Sequence, residues 1–141
     1  MIVRHIMQKN VVTAKRDVSL KEACEVMAKL HIGSLIVCED HRILGIITST
    51  DVLKAIASGR DVNTTTVGEI MSTKIISIDP DTSLEKAVEI MIENKIKRLP
   101  VVEEGKLVGI VTASDIIVVE PKLIEGIANL LSLKLPGYKG G

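Results

Sequence analysis

The chain has 141 residues, 18 basic and 18 acidic side chains, and a 46% apolar fraction with no Phe, no Trp and one tyrosine, Tyr138. Balanced charge without a long run of either sign excludes the electrostatic footprint of a nucleic-acid or anionic-membrane binder, so any anion site must be local. No apolar stretch approaches the roughly 18 residues of a membrane span, Met1 to Met7 lacks a signal-peptide core, and Cys24 and Cys38 form neither a C-x-x-C pair nor a metal spacing; a soluble, cytoplasmic chain with buried thiols is expected.

In chain order, Val11-Val12-Thr13-Ala14 reads as a short β-branched strand, and Ser19 with Glu22 as a capping box opening a helix with apolar positions Leu20, Ala23, Cys24 and Met27. Ser34 to Cys38 reads as a second strand, turning through Glu39-Asp40-His41-Arg42 into a third that ends at Thr48. A helix follows over Asp51 to Ser58, closed by Gly59. Beyond a linker the series repeats. Ile75 to Ile78 is the strand, Asp79-Pro80-Asp81 the turn, Thr82 with Glu85 the capping box, and Leu84, Ala87, Val88, Met91 and Ile92 the apolar stripe. Arg98 to Val102 and the strand ending at Thr112 flank a turn that holds Gly105, and a last helix over Asp115 to Glu120 stops at Pro121. Leu123, Ile124, Ile127, Leu130 and Leu131 then form an apolar stripe on a helix over Lys122 to Leu133, which needs a surface to cover. Ile116 to Val119 is apolar all round and hints at self-association.

The repetition is literal. Gly45-Ile46-Ile47-Thr48-Ser49-Thr50-Asp51 returns as Gly109-Ile110-Val111-Thr112-Ala113-Ser114-Asp115, displaced by 64 residues, and the register also pairs Ile6-Met7 with Ile70-Met71 and Ser19-Leu20 with Ser83-Leu84. The division expected is repeat 1 over 1–60, a linker over 61–69, repeat 2 over 70–120 and a C-terminal helix and tail over 121–141. A repeat of about 60 residues buries only about 60% of its unfolded surface, so the copies should fold together.

Catalysis has little support, since His5, His31 and His41 lack metal spacing or a nucleophile to activate. The candidate chemistry is Gly-Ile-Ile/Val-Thr-x-x-Asp. Its glycine admits a ligand to the backbone, its Thr hydroxyl and helix-start N–H groups suit phosphate, and its Asp offers two acceptors to ribose hydroxyls. In a single instance a plain capping box accounts for Thr-x-x-Asp better than a ligand does. Duplication together with the glycine, and the basic cluster Lys95, Lys97 and Arg98, favour a ligand, although a solvated helix end also attracts cations.

With Ile-Met at the start, Arg98-Leu99-Pro100-Val101-Val102 on the second strand and Gly-Ile-Val-Thr-x-x-Asp on the third, the repeats resemble the CBS domain, from about Ile6 to Val119. Asn94 to Val101 is also similar to a stretch of the gamma subunit of AMP-activated protein kinase, where basic residues bind nucleotide phosphates; Lys97 stands where that subunit has histidine. The resemblance implies an α+β fold of tandem β-α-β-β-α repeats, packed sheet to sheet with pseudo-two-fold symmetry. It also implies two clefts between the repeats for adenosine-type ligands: AMP, ADP, ATP or S-adenosylmethionine. One cleft would use Ile46, Thr48 and Asp51 with Ile75, Ile76, Ser77, Lys97, Arg98 and Pro100. The other would use Ile110, Thr112 and Asp115 with Val11, Val12, Thr13, Gly33 and Ser34. Gly33-Ser34-Leu35-Ile36 stands where the family favours a basic residue and a proline on the strand, so the sites should be unequal, with phosphate-bearing ligands preferring the cleft of Arg98. A regulatory, non-enzymatic module is expected, a homodimer acting on a separate effector protein, without membrane or nucleic acid and without a bound cofactor or metal. The competing class is an interaction scaffold with vestigial clefts.

Overall fold

A computed structural model describes residues 1–123 together with Glu125, Gly126 and Ala128. The chain forms two compact units, Val11–Ile75 and Met1–Asn10 with Ile76 onward.

In the Val11–Ile75 unit, β1 (Thr13–Ala14) runs parallel to β2 (Ser34–Glu39), which pairs antiparallel with β3 (Arg42–Thr48). Helix α1 (Leu20–Leu30) starts because the Ser19 hydroxyl accepts from the Glu22 amide, and stops where His31 turns left-handed at φ 55° and Ile32 N–H closes onto Met27 O at 3.0 Å. Its Leu20, Ala23 and Met27 pack with Leu35, Val37 and Ile47 of the sheet, and with Val52 and Ala55 of α2 (Ser49–Ala57), into one core. Truncating Leu20, which is fully buried, would remove about 2–5 kcal/mol. A short helix, α3 (Val67–Ile70), inserts Val67 into the same core.

The other unit repeats the plan. Helix α4 (Leu84–Asn94), the hairpin of β4 (Arg98–Glu103) and β5 (Lys106–Thr112), and α5 (Ala113–Val119) enclose a core of Leu84, Met91, Leu99, Val111 and Ile116. Both hairpins slip register at twin positions, Val37/Cys38 and Val101/Val102. Each unit is thus a small sheet with helices, the α+β class expected.

Three local readings need correction. The cap of α4 is Ser83, whose hydroxyl accepts from Lys86 N; the Thr82–Glu85 box does not form. Nor do Ile75 to Ile78 make a strand: only Ile78 bridges to β4, at Val101. Ile78 N–H reaches Pro100 O at 3.0 Å and Val102 N–H reaches Ile78 O at 2.9 Å. One step back, the ladder would need an N–H from residue 100 for the Ile76 carbonyl, and proline has none. The first strand is likewise shorter than expected, with Val11 and Val12 ahead of β1.

The units are not the sequence repeats. The segment leading into repeat 1 pairs with the third strand of repeat 2, Gln8 exchanging hydrogen bonds with Ile110 at 2.8 and 3.0 Å. The segment leading into repeat 2 does the converse, Ser72 exchanging two bonds of 2.9 Å with Ile46. Of the helix expected over Lys122 to Leu133, Pro121–Leu123 forms a 3-10 turn and Leu123 packs on the second core. Glu125, Gly126 and Ala128 are helical as expected, and the other residues of that stretch, with the tail that holds Tyr138, lie outside the described residues.

Candidate functional site

The strand-to-helix turn carries the candidate chemistry. In the Val11–Ile75 unit, Thr48 ends β3 with extended backbone and caps α2: its hydroxyl accepts from Asp51 N–H at 3.2 Å, and Asp51 Oδ2 accepts from Thr48 N–H at 2.9 Å and from the Thr48 hydroxyl at 3.1 Å. The capping role is therefore realised. It uses one carboxylate oxygen, and Asp51 Oδ1 has no partner among the described residues. Asp51 also lines an open pocket of about 250 Å³ with Lys54, Ala55, Ser58, Arg60 and Ile70, where Arg60 pairs with Glu69 at 3.3 Å. Lys54 and Arg60 were not singled out by sequence, because neither falls in the repeated heptad.

The strand register sets the neighbours. Thr48 lies across from Ser34 and Ile46 across from Ile36; Ser49 N–H donates to Gly33 O at 3.1 Å. Ile47 points into the core, so Ile46, half-buried, is on the opposite face with Ile36. Thr13 pairs with Ile36 and is exposed, Val11 and Val12 are half-buried, and Ile75 is half-buried at the unit's end.

In the other unit the Thr112–Asp115 box matches its twin, with Thr112 N–H to Asp115 Oδ2 at 3.0 Å and Asp115 N–H to the Thr112 hydroxyl at 3.1 Å. Arg98 lies across from Thr112 and Pro100 across from Ile110, and Ala113 N–H donates to Lys97 O at 2.8 Å. Arg98 and Lys97 are half-buried, and burial pulls the Arg98 guanidinium's pKa down from its ordinary value. Lys95 caps α4 in the left-handed conformation and is exposed. Ile76 is half-buried and Ser77 exposed. The strand neighbours of Thr48 are thus Gly33 and Ser34, and those of Thr112 are Lys97 and Arg98, groups the sequence reading divided between the two clefts.

The repeated glycines do a different task from the one expected. A Cβ at Gly45 would lie 2.5 Å from Met71 Sδ and 2.8 Å from Ser72 O; one at Gly109 would lie 2.7 Å from Met7 Sδ and 3.1 Å from Gln8 O. The space that glycine leaves is filled by the lead-in segment, so the absent side chain admits protein rather than ligand.

A profile of the CBS domain matches residues 3–58 and 67–121. The chain belongs to the CBS domain family. It is 37% identical over 115 residues to hypoxic response protein 1 of Mycobacterium tuberculosis, covering 80% of each chain, and 37% identical over 117 residues to the CBS domain-containing protein YhcV of Bacillus subtilis, covering 82% and 83%. Among solved structures it is similar to the CBS domain pair of protein MJ0100 in complex with 5'-methylthioadenosine and S-adenosyl-L-methionine. There the TM-score is 0.75 at 33% identity, over 84% of this chain and 98% of that one. That neighbour thus holds two adenosine compounds. Among the described residues no helix is long and apolar enough to cross a membrane, and no group of three or more His, Cys, Asp or Glu is placed to hold a metal. Cys24 and Cys38 are free and half-buried, and burial raises both thiol pKa values.

Proposed function

We propose that this CBS-domain protein is a cytoplasmic regulatory module that binds an adenosine-type ligand, such as AMP, ADP, ATP or S-adenosylmethionine, and transmits its presence to a separate effector. The single observation that carries this reading is the Asp51 carboxylate, held in place through Oδ2 while Oδ1 stays available to ribose hydroxyls. Within its own unit Asp51 stands beside Ile46 and Thr48, and within the other unit Asp115 stands beside Ile110 and Thr112, so each carries an acid, a hydroxyl and an aliphatic wall. MJ0100, a neighbour that binds two adenosine compounds, supports the ligand class. Calorimetry with AMP, ATP and S-adenosylmethionine tests it. Micromolar binding to the native chain, weakened in Asp51→Ala, is the expected result, and absence of binding by all three defeats the proposal.

The module acts as a homodimer through the open apolar groove between α1 and α2. That groove, of about 410 Å³, is lined by Cys24, Met27, Ala28, Ile32, Val52, Leu53 and Ile56 among others, and Leu53 is 65% exposed. In the other unit Gly126 lies against part of the twin surface, where an added Cβ would meet Ile92 at 3.1 Å and Val88 at 3.5 Å, and Ile92 remains 40% exposed. On α5 of the other unit, Val118 is 79% exposed. Leu53→Glu should convert the dimer to a monomer in analytical ultracentrifugation without loss of secondary structure; a wild-type monomer would refute this part.

A further inference from the structure

The two acids of the repeat are not equivalent, and the difference comes from one side chain. Gln8 Nε2 donates to both oxygens of Asp115, at 3.2 Å and 3.1 Å. Its backbone is anchored by the pair of bonds to Ile110, so the amide is delivered to Asp115 from a fixed point. The twin of Gln8 is Ser72, fixed in the same way to Ile46. Serine ends one atom past Cβ and makes no bond to Asp51. Asp51 keeps an oxygen without a partner among the described residues, whereas Asp115 is engaged on both.

We propose that Gln8 is a specificity-determining residue: by occupying the Asp115 carboxylate it makes that site the weaker of two, so that an adenosine-type ligand fills the Asp51 site first. The inference rests on the adenosine-binding reading above and adds to it an order of filling and the residue that imposes it. A ribose diol arriving at Asp115 must displace an amide already bonded to the same two oxygens. The handicap equals about one charge-assisted hydrogen bond, roughly tenfold in affinity. Gln8 and Ser72 are both exposed, so either exchanges without disturbing a core.

The reciprocal swap is the test. Full-length wild type, Gln8→Ser, Ser72→Gln and the double swap are titrated with AMP, and separately with S-adenosylmethionine, in a calorimeter. Asp51→Ala and Asp115→Ala assign each step to its acid. Wild type should show a strong step lost in Asp51→Ala and a weaker one lost in Asp115→Ala. Gln8→Ser should strengthen the weaker step about tenfold and leave the stronger one unchanged; Ser72→Gln should weaken the stronger step by a similar factor; the double swap should reverse the order. A weaker step that is unchanged or further weakened in Gln8→Ser, with binding at Asp51 intact, overturns the inference while sparing the adenosine reading. No heat with either probe in wild type or Gln8→Ser removes both.

Discussion

Replacing Gly45 by alanine is the sharpest test of how the repeat is closed. The added Cβ would lie 2.5 Å from Met71 Sδ, 2.8 Å from Met71 Cγ and 2.8 Å from Ser72 O, where carbon contacts prefer roughly 3.5–4.0 Å. The thioether can swing aside. The carbonyl cannot, because it accepts from Ile46 N–H at 2.9 Å and retreat would break that bond. Overpacking costs about 1–3 kcal/mol and a lost hydrogen bond about 1 kcal/mol, while the stiffer unfolded chain returns about 0.4–1 kcal/mol. The net expectation is a loss of about 2–3 kcal/mol. Gly109→Ala meets Met7 Sδ at 2.7 Å, Met7 Cγ at 3.0 Å and the fixed Gln8 O at only 3.1 Å, a milder overlap, and should lose about 1–2 kcal/mol. Urea unfolding with an unchanged m-value measures both. Adding Met71→Ala to Gly45→Ala should not recover the carbonyl part of the loss. Stability equal to or above wild type in Gly45→Ala would refute the close packing and restore the idea that this glycine exists to admit a ligand.

Asp51→Ala should lose about 1 kcal/mol through the cap, in urea, and separately about ten- to a hundredfold in ligand affinity; a stability loss with unchanged affinity assigns Asp51 to the cap alone. In the first hairpin both turn residues are left-handed, Asp40 at φ 51° and His41 at φ 65°, where the second hairpin has Gly105 at φ 78°. His41→Gly should therefore stabilise the protein by about 0.5–1 kcal/mol, seen as a higher urea midpoint, because a type I′ turn asks for positive φ at both central positions. The two thiols have folded pKa values raised by burial above the ordinary 9.0. A raised folded pKa means that stability is whole below pH 9 and falls as pH rises past it, since the unfolded thiols ionise first. The fall between pH 8 and pH 10 should be smaller in the Cys24→Ser/Cys38→Ser variant, and an identical fall in both proteins contradicts this.

Much of the architecture was legible because the duplication writes each element twice. The apolar spacing at Leu20, Ala23 and Met27 marked α1, and the heptad ending at Asp51 marked the turn from β3 into α2. Ser83 was visible as the twin of Ser19, yet the Thr82–Glu85 spacing competed with it, and only backbone geometry decides between adjacent hydroxyls. The missing strand before Asp79 follows from the absent N–H of Pro100, a residue that lies far along the chain. Gln8 was hidden for the same reason. Sequence displays it as an unmatched residue opposite Ser72, but its partner Asp115 is 107 residues away and nothing local announces the contact. The glycines were misread because local reasoning identifies the need for space without identifying what fills it.

The crossed pairing of Gln8 with Ile110 and of Ser72 with Ile46 has a consequence for the history of such chains. A solitary repeat owns one arm and one seat, and here every arm occupies the seat belonging to its sibling. Two identical single-repeat polypeptides trading arms would rebuild both units, so gene fusion of a mutually dependent pair is a sufficient origin for the tandem. A chain severed between residues 58 and 67, outside both matched repeats, should accordingly reassemble from its halves by the same trade.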